Sequence, residues 1–229
     1  MKFYQLSIAL RLKRDIYHNE VTEKLSILFN KSMLYHYNLE SIHELNQYKF
    51  YTFEGLLPFE KDKIYKSGKN YTTSLRCIDE KMAEEFKMCL KQVMTNEFDV
   101  MSVNINALNI KRNIKQIYTV TPTIATIDGK PWTNTMSIDI IKSSINNNLI
   151  NKLKTIKEIE YPINHDMIEE IEVKNIKSIA YKYKNIKFIG NKFNIKVKQD
   201  DLSQDMAKVA IAVGLLEKNS LGYGYCIYK

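Results

Sequence analysis

Cysteine, proline and glycine are all scarce, at 3, 4 and 7 of 229 residues. Three cysteines far apart in sequence, Cys77, Cys89 and Cys226, leave one over after any pairing, which argues against a disulfide framework. No Cys-x-x-Cys pair or Cys/His cluster has zinc-ligand spacing, so all three read as small buried hydrophobes. So little glycine and proline excludes collagen-like and low-complexity sequence. No apolar run reaches the roughly 18 residues that span a membrane as a helix. The start, Met1-Lys2-Phe3-Tyr4-Gln5, has neither the apolar stretch nor the small-residue cleavage site of a secretory leader, so the expected compartment is the cytoplasm, without membrane contact. Arginine is scarce too: Arg11, Arg14, Arg76 and Arg112 are four of 34 basic residues.

What is present is an ordinary globular composition, 45% hydrophobic and 26% charged, with a formal net charge of +8. The length fits one large domain or two small ones. The positive charge is nearly all lysine, a compact point charge suited to phosphate, whereas arginine's planar fork reads base edges. The balance therefore favours sequence-independent attraction to a polyanion, although a chain rich in Ile, Asn and Lys acquires lysine by composition alone.

Hydrophobic periodicity orders the elements. Residues 2–13 alternate for most of their length through Phe3, Leu6, Ile8, Leu10 and Leu12, the pattern of a strand with one buried face. Residues 20–34 carry Val21, Leu25, Leu28 and Phe29 on one helical side. The aromatic segment 48–57 reads as a strand ending near Pro58, a turn at Gly68 follows, and 71–77 reads as a strand. Asp79 is placed to cap a helix whose apolar face is Met82, Phe86, Cys89, Leu90 and Val93. Residues 100–110 alternate again. That order is β-α-β-β-α-β, the ferredoxin-like unit. It then recurs: a strand over 116–127 broken by Pro122, a turn at Asp128-Gly129, a helix over 137–153, a β-rich stretch over 168–198 with a turn at Gly190-Asn191, a helix over 202–215 and a strand over 223–228. The expected fold is α+β, two tandem ferredoxin-like (RRM-like) domains packed together, residues 1–113 and 114–229.

Lysines at 174, 177, 182, 184, 187, 192, 196 and 198 stud the long β stretch. Lys182 and Lys184 are two apart and would share one strand face, with Tyr183 opposite. The pattern fits a solvated sheet face or a track for an RNA backbone.

Gly214, Gly222 and Gly224 fall within the last sixteen residues and frame the run GLLEKNSLGYG. The run follows a helix rather than opening one, so it is no P-loop and no helix dipole assists it. Any phosphate held there would need backbone N–H groups in a nest together with Lys218; otherwise the run is a helix-to-strand turn. It resembles the C-terminal glycine-rich signature, G-h-G-x5-G-h-G, of the repeat-processing endoribonucleases called CRISPR-associated protein six, of the RAMP superfamily. Gly214, Gly222 and Gly224 fit, the intervening Glu217-Lys218-Asn219-Ser220-Leu221 is similar to the family's filling, and Leu216 departs from it where glycine is usual. Two further segments are similar to family motifs: Ile42-His43-Glu44 with Lys49 six residues after the histidine in YKFYTF, and Thr121-Pro122-Thr123.

The resemblance implies cleavage of CRISPR repeat RNA without a metal or other cofactor. The RNA's own 2′-hydroxyl attacks the adjacent phosphate and leaves a 2′,3′-cyclic phosphate and a 5′-hydroxyl. It points to His43 as general acid/base and Lys49 as the phosphate-stabilising cation, roles that histidine and lysine suit chemically. Some relatives add a tyrosine about fifteen residues before the histidine. Here that position falls on Leu28 and Phe29, so the role is vacant or belongs to Tyr35, Tyr37 or Tyr48, with Tyr48 favoured. His36, seven residues before His43, is the rival base. His18, in a turn, and His165, in the loop 162–166, rank below both. The RNA-binding set is Gly214, Lys218, Asn219, Ser220, Gly222, Gly224, Lys182 and Lys184. Repeat RNA is the expected partner, with other CRISPR effector subunits and a second copy of the chain as further candidates. The competing class is a non-catalytic RAMP subunit that binds RNA without cutting it.

Overall fold

The computed structural model describes residues 2–45, 47–110, 113–158, 160–162 and 164–229. Arg112, Met1 and Ile163 of the loop 162–166 lie outside the described residues. The chain divides into two compact units, Lys2–Asn109 with Ser220–Gly222, and Ile110–Asn219 with Tyr223–Lys229.

The first unit is built on β1 (Phe3–Leu12), whose alternating side chains Leu6, Ile8, Leu10 and Leu12 are at most 1% exposed. Then come α1 (Val21–Met33), α2 (Tyr37–Glu44), β2 (Tyr51–Phe53), β3 (Asn70–Cys77), α3 (Glu80–Leu90) and β4 (Phe98–Leu108). The sheet order is β2-β3-β1-β4, every neighbour antiparallel. Because β1 is central, its inward residues meet partners on both sides: Leu6 lies opposite Leu75 and Ile105, and Ile8 opposite Thr73 and Val103. Leu25, Leu28 and Phe29 of α1 and Ala83, Phe86 and Leu90 of α3 are fully buried in the same core, and the Phe29 and Phe53 rings stand 4.7 Å apart. Asp79 caps α3 by accepting from the Met82 amide at 2.8 Å, which satisfies one of the helix's orphan N–H groups. Cys77, Cys89 and, in the other unit, Cys226 are buried free thiols.

The second unit runs β5 (Gln116–Thr119), β6 (Thr123–Ile124), a short hairpin turning at Asp128-Gly129, α4 (Ile138–Lys157), β7 (Ile168–Val173), β8 (Ile179–Tyr183), β9 (Ile186–Asn191), β10 (Phe193–Val197), α5 (Asp201–Val213) and β11 (Cys226–Tyr228). Positive φ at Asp128 and Gly129 suits a tight hairpin turn. The main sheet order is β7-β10-β5-β11, again antiparallel. Each unit therefore shows the strand order of a ferredoxin-like fold, and the chain is α+β with that fold in tandem. The second unit carries an addition, β8 and β9, which pair with each other, β9 also pairing with β6.

Four local expectations are corrected. The aromatic segment 48–57 forms a strand only over Tyr51–Phe53, so Tyr48 and Lys49 precede it. An extra helix, α2, fills the interval between α1 and β2. Gly190 and Asn191 are not a turn but buried strand residues of β9. A Cβ at 190 would stand 2.9 Å from the Thr123 carbonyl oxygen, so glycine serves close strand approach there. The turn between β8 and β9 falls instead at residues 184 and 185, where Lys184 takes φ 51°. Lys184 therefore lies beyond the end of β8 and shares no strand face with Lys182.

Candidate functional site

The histidine and lysine six residues apart meet at one end of α2. His43 occupies the last turn, half-buried, and the Lys49 ammonium donates to the His43 backbone carbonyl at 2.6 Å. The last carbonyls of any helix lack intrahelical donors, and a lysine reaching back from just beyond the helix supplies one. Burial lowers the Lys49 pKa from the usual lysine value. An ammonium offers three donors. Tyr48 is exposed, with its ring 5.8 Å from that of Phe50. Leu28 and Phe29 are both fully buried core residues, so no hydroxyl could be presented from those positions. Tyr35 just before α2 and Tyr37 at its first position are both exposed.

His36 stands at the opposite end of α2. It is the N-cap residue, with extended backbone, whereas His43 lies in the last turn. Its Nδ1 lies 3.7 Å from Oε1 of Glu85 on α3, and the buried Glu85 also accepts from the Asn38 amide at 2.6 Å. His18 stacks edge-on against Phe59. His165 faces the N-cap of α5, 2.9 Å from Ser203 Oγ and 3.2 Å from Asp200 Oδ1.

The glycine-rich run is an interlocked loop. Gly214, Gly222 and Gly224 all adopt positive φ, at 88°, 89° and 73°. Leu216, which stands where glycine was expected, takes the same left-handed backbone with φ 61°, and Lys218 follows with φ 59°. The Leu216 side chain is buried, so packing holds a conformation that leucine otherwise avoids. Asn219 ties the loop together: its amide nitrogen donates to the carbonyls of Leu215 at 3.0 Å and Tyr223 at 2.9 Å. A Cβ at Gly214 would come within 2.6 Å of the Asn219 amide, and one at Gly224 within 2.1 Å of the Leu215 carbonyl oxygen. Gly222 packs in the first unit, where a Cβ would meet the Phe53 ring at 2.5 Å. The N–H groups of Leu215 and Glu217 are taken by the carbonyls of Gly224 and Ile124. The Glu217 carboxylate is held by the Thr126 amide and hydroxyl, at 2.7 and 3.0 Å. Ser220 is half-buried in the short helical turn Asn219–Leu221. Lys218 is exposed, and its ammonium meets no carboxylate among the described residues.

Beneath the loop lies a residue that sequence reasoning missed. Lys152 of α4 is 2% exposed, and its ammonium donates to the carbonyls of Gly214 at 2.8 Å and Leu216 at 3.0 Å and to Asn219 Oδ1 at 2.7 Å. Burial lowers its pKa to about 7. The signal was spacing: Ile145, Leu149 and Lys152 continue one helical stripe, so a lysine fell on the buried face.

Of the lysines in the β-rich stretch, Lys182 and Lys184 are exposed, and Lys184 lies 5.8 Å from the centroid of the Tyr183 ring. Lys196 pairs with Glu170, and Lys198 with Asp166 at 3.2 Å, as on an ordinary solvated face. Among the described residues no cluster of three or more His, Cys, Asp or Glu side chains could hold a metal, and no helix is long and apolar enough to cross a membrane.

Two antiparallel sheets of ferredoxin-like order, with a glycine loop leading into the last strand of the second, make this a protein of tandem ferredoxin-like fold. Solved structures share the fold over the whole chain. A "CRISPR associated protein Cas6" matches with TM-score 0.73 and 19% identity, covering 99% of each chain. "An RAMP protein binding different RNA substrates" matches at 0.75 and 14%, also covering 99% of each. The product of a Cas6-related gene from Pyrococcus furiosus matches at 0.67 and 13%, covering 99% of this chain and 98% of the other. No curated protein sequence matches. The family model "CRISPR associated protein Cas6, C-terminal" matches residues 105–227, just over half of the chain. The chain belongs to the Cas6 family of CRISPR-associated proteins.

Proposed function

We propose that this protein is an endoribonuclease that cuts CRISPR precursor RNA within its repeats, without a metal, by intramolecular attack of a 2′-hydroxyl. The observation that carries the reading is the 2.6 Å bond from the Lys49 ammonium to the His43 backbone carbonyl, which sets the lysine at the helix end that carries His43. His43 would exchange the reaction's protons, removing one from the 2′-hydroxyl or returning one to the leaving 5′ oxygen, a role worth about 10²–10⁴-fold in rate. As the 2′ oxygen bonds to phosphorus and the bond to the 5′ oxygen breaks, negative charge builds on the phosphoryl oxygens. Lys49 keeps donors beyond the one given to His43 and would stabilise that charge, more strongly in its partly desolvated setting. Tyr48 is the tyrosine we favour to assist, and His36, 3.7 Å from Glu85, is the alternative base. Residues 1–113 would form the catalytic domain. Residues 114–229 would form the domain that holds RNA through Lys218, with Gly214, Gly222 and Gly224 shaping the loop that carries Lys218, Asn219 and Ser220, and with Lys182 and Lys184 on the added hairpin.

A non-catalytic RNA-binding subunit is the second reading. It is favoured by the same bond, since a lysine that caps a helix has a structural task without chemistry. His43→Ala separates the two. The expected outcome is cleavage of repeat RNA lost by at least about 10²-fold with binding affinity kept within a few-fold, checked by gel-resolved cleavage and filter binding. Full cleavage by the variant would remove His43 from the mechanism.

A further inference from the structure

The glycine loop is wrapped around a cation of the protein's own. Three acceptors, the carbonyls of Gly214 and Leu216 and Oδ1 of Asn219, converge on the Lys152 ammonium at 2.7–3.0 Å. Positive φ at 214, 216 and 218 accompanies the inward turn of the Gly214 and Leu216 carbonyls. Those two carbonyls face the interior of the unit, and the N–H groups of Gly214, Leu215, Glu217 and Gly224 are taken by the carbonyls of Ala210, Gly224, Ile124 and Pro122, so these four residues offer no backbone nest for an anion. The anionic side chain of the run, Glu217, is committed to Thr126, which leaves Lys218 as the exposed charge at the loop's outer face.

We propose that Lys152 is a positioning residue for RNA binding: by holding the loop's carbonyls and Asn219 from below, it fixes the outward placement of Lys218 toward a phosphate. The proposal rests on the reading of the loop as an RNA contact. Lys152 itself, buried under the loop, touches no RNA. Its effect must therefore run through Lys218, and that dependence separates it from a lysine that merely adds stability. If Lys152 acts by placing Lys218, the cost of deleting Lys218 depends on whether Lys152 is present. If it acts only on global stability, the two costs are independent once both variants are folded.

The test is a double-mutant cycle on the full chain with a single-stranded repeat RNA from the protein's own source. Filter binding is run at several salt concentrations, and folding is checked by circular dichroism. Lys218→Ala is expected to weaken binding several-fold and to reduce the salt slope by about 0.7 to 1, as loss of one phosphate contact does. Lys152→Met is expected to reproduce both changes, and Lys152→Met/Lys218→Ala to be no worse than either single variant. If Lys152→Met does not fold, Asn219→Ala, which removes one of the lysine's three acceptors, replaces it in the cycle with the same expectation. Additive losses, or a Lys152→Met protein with unchanged affinity and salt slope, would overturn the role of Lys152 while leaving the RNA reading in place. A wild-type chain with no affinity for repeat RNA would overturn both.

Discussion

Lys152 and Lys49 carry their interest in burial rather than in charge as such. An unfolded chain holds a lysine proton to about 10.4. Native Lys152 releases it near 7, because burial opposes the charged form more strongly than the neighbouring Cys226 favours it. Between those values the unfolded chain binds more protons, so this group's contribution to stability rises with pH. The melting temperature of the wild type relative to Lys152→Met is therefore expected to be higher at pH 9 than at pH 6.5. A difference that stays constant with pH would mean that Lys152 titrates normally. Lys49 shows the same direction of shift from partial burial, and the lost hydration that lowers its pKa also strengthens its attraction to a phosphoryl oxygen. His43 could be proposed from the sequence because a histidine followed six residues later by lysine, ahead of an aromatic strand, resembles a known motif. Lys152 was not, because a lysine invites the assumption of a solvated face, and only its helical register with Ile145 and Leu149 marks it as inward.

Elements were read best where hydrophobic period and capping agreed. The α3 helix is the clearest case: the stripe Met82, Phe86, Cys89, Leu90 is buried and Asp79 makes the cap bond. Asp79→Ala is expected to lower stability by about 1 kcal/mol, read as a shift in the chemical-denaturation midpoint with unchanged slope. No shift would mean that solvent replaces the cap fully. Reading failed where local chemistry was ambiguous. Gly190-Asn191 has the composition of a turn, yet Thr123 and Ile124 press against that backbone and make it strand. The α2 helix was missed because only Leu39 among its eight residues is buried, which leaves almost no apolar stripe to detect. The spacing that relates His43 to Lys49 is enforced by that short element, which ends just short of the lysine.

At the scale of the whole chain, the net charge of +8 is carried by lysines, several of which are neutralised by neighbouring carboxylates. Binding by the remaining point charges should depend steeply on salt. Affinity for repeat RNA is expected to fall about tenfold or more between 50 and 300 mM salt, and a flat response in filter binding would argue that base stacking, not phosphate attraction, holds the RNA. The tandem ferredoxin-like order was readable because it follows from element sequence alone, whereas the β8–β9 hairpin was hidden inside one continuous β-rich stretch. The central claim, that a protein histidine and an RNA hydroxyl perform the cut between them, is tested most directly by mapping the ends of repeat RNA incubated with the wild-type chain in EDTA. The account predicts a single internal cut leaving a 2′,3′-cyclic phosphate and a 5′-hydroxyl. A strict requirement for magnesium, or product carrying a 5′-phosphate and a 3′-hydroxyl, would contradict it.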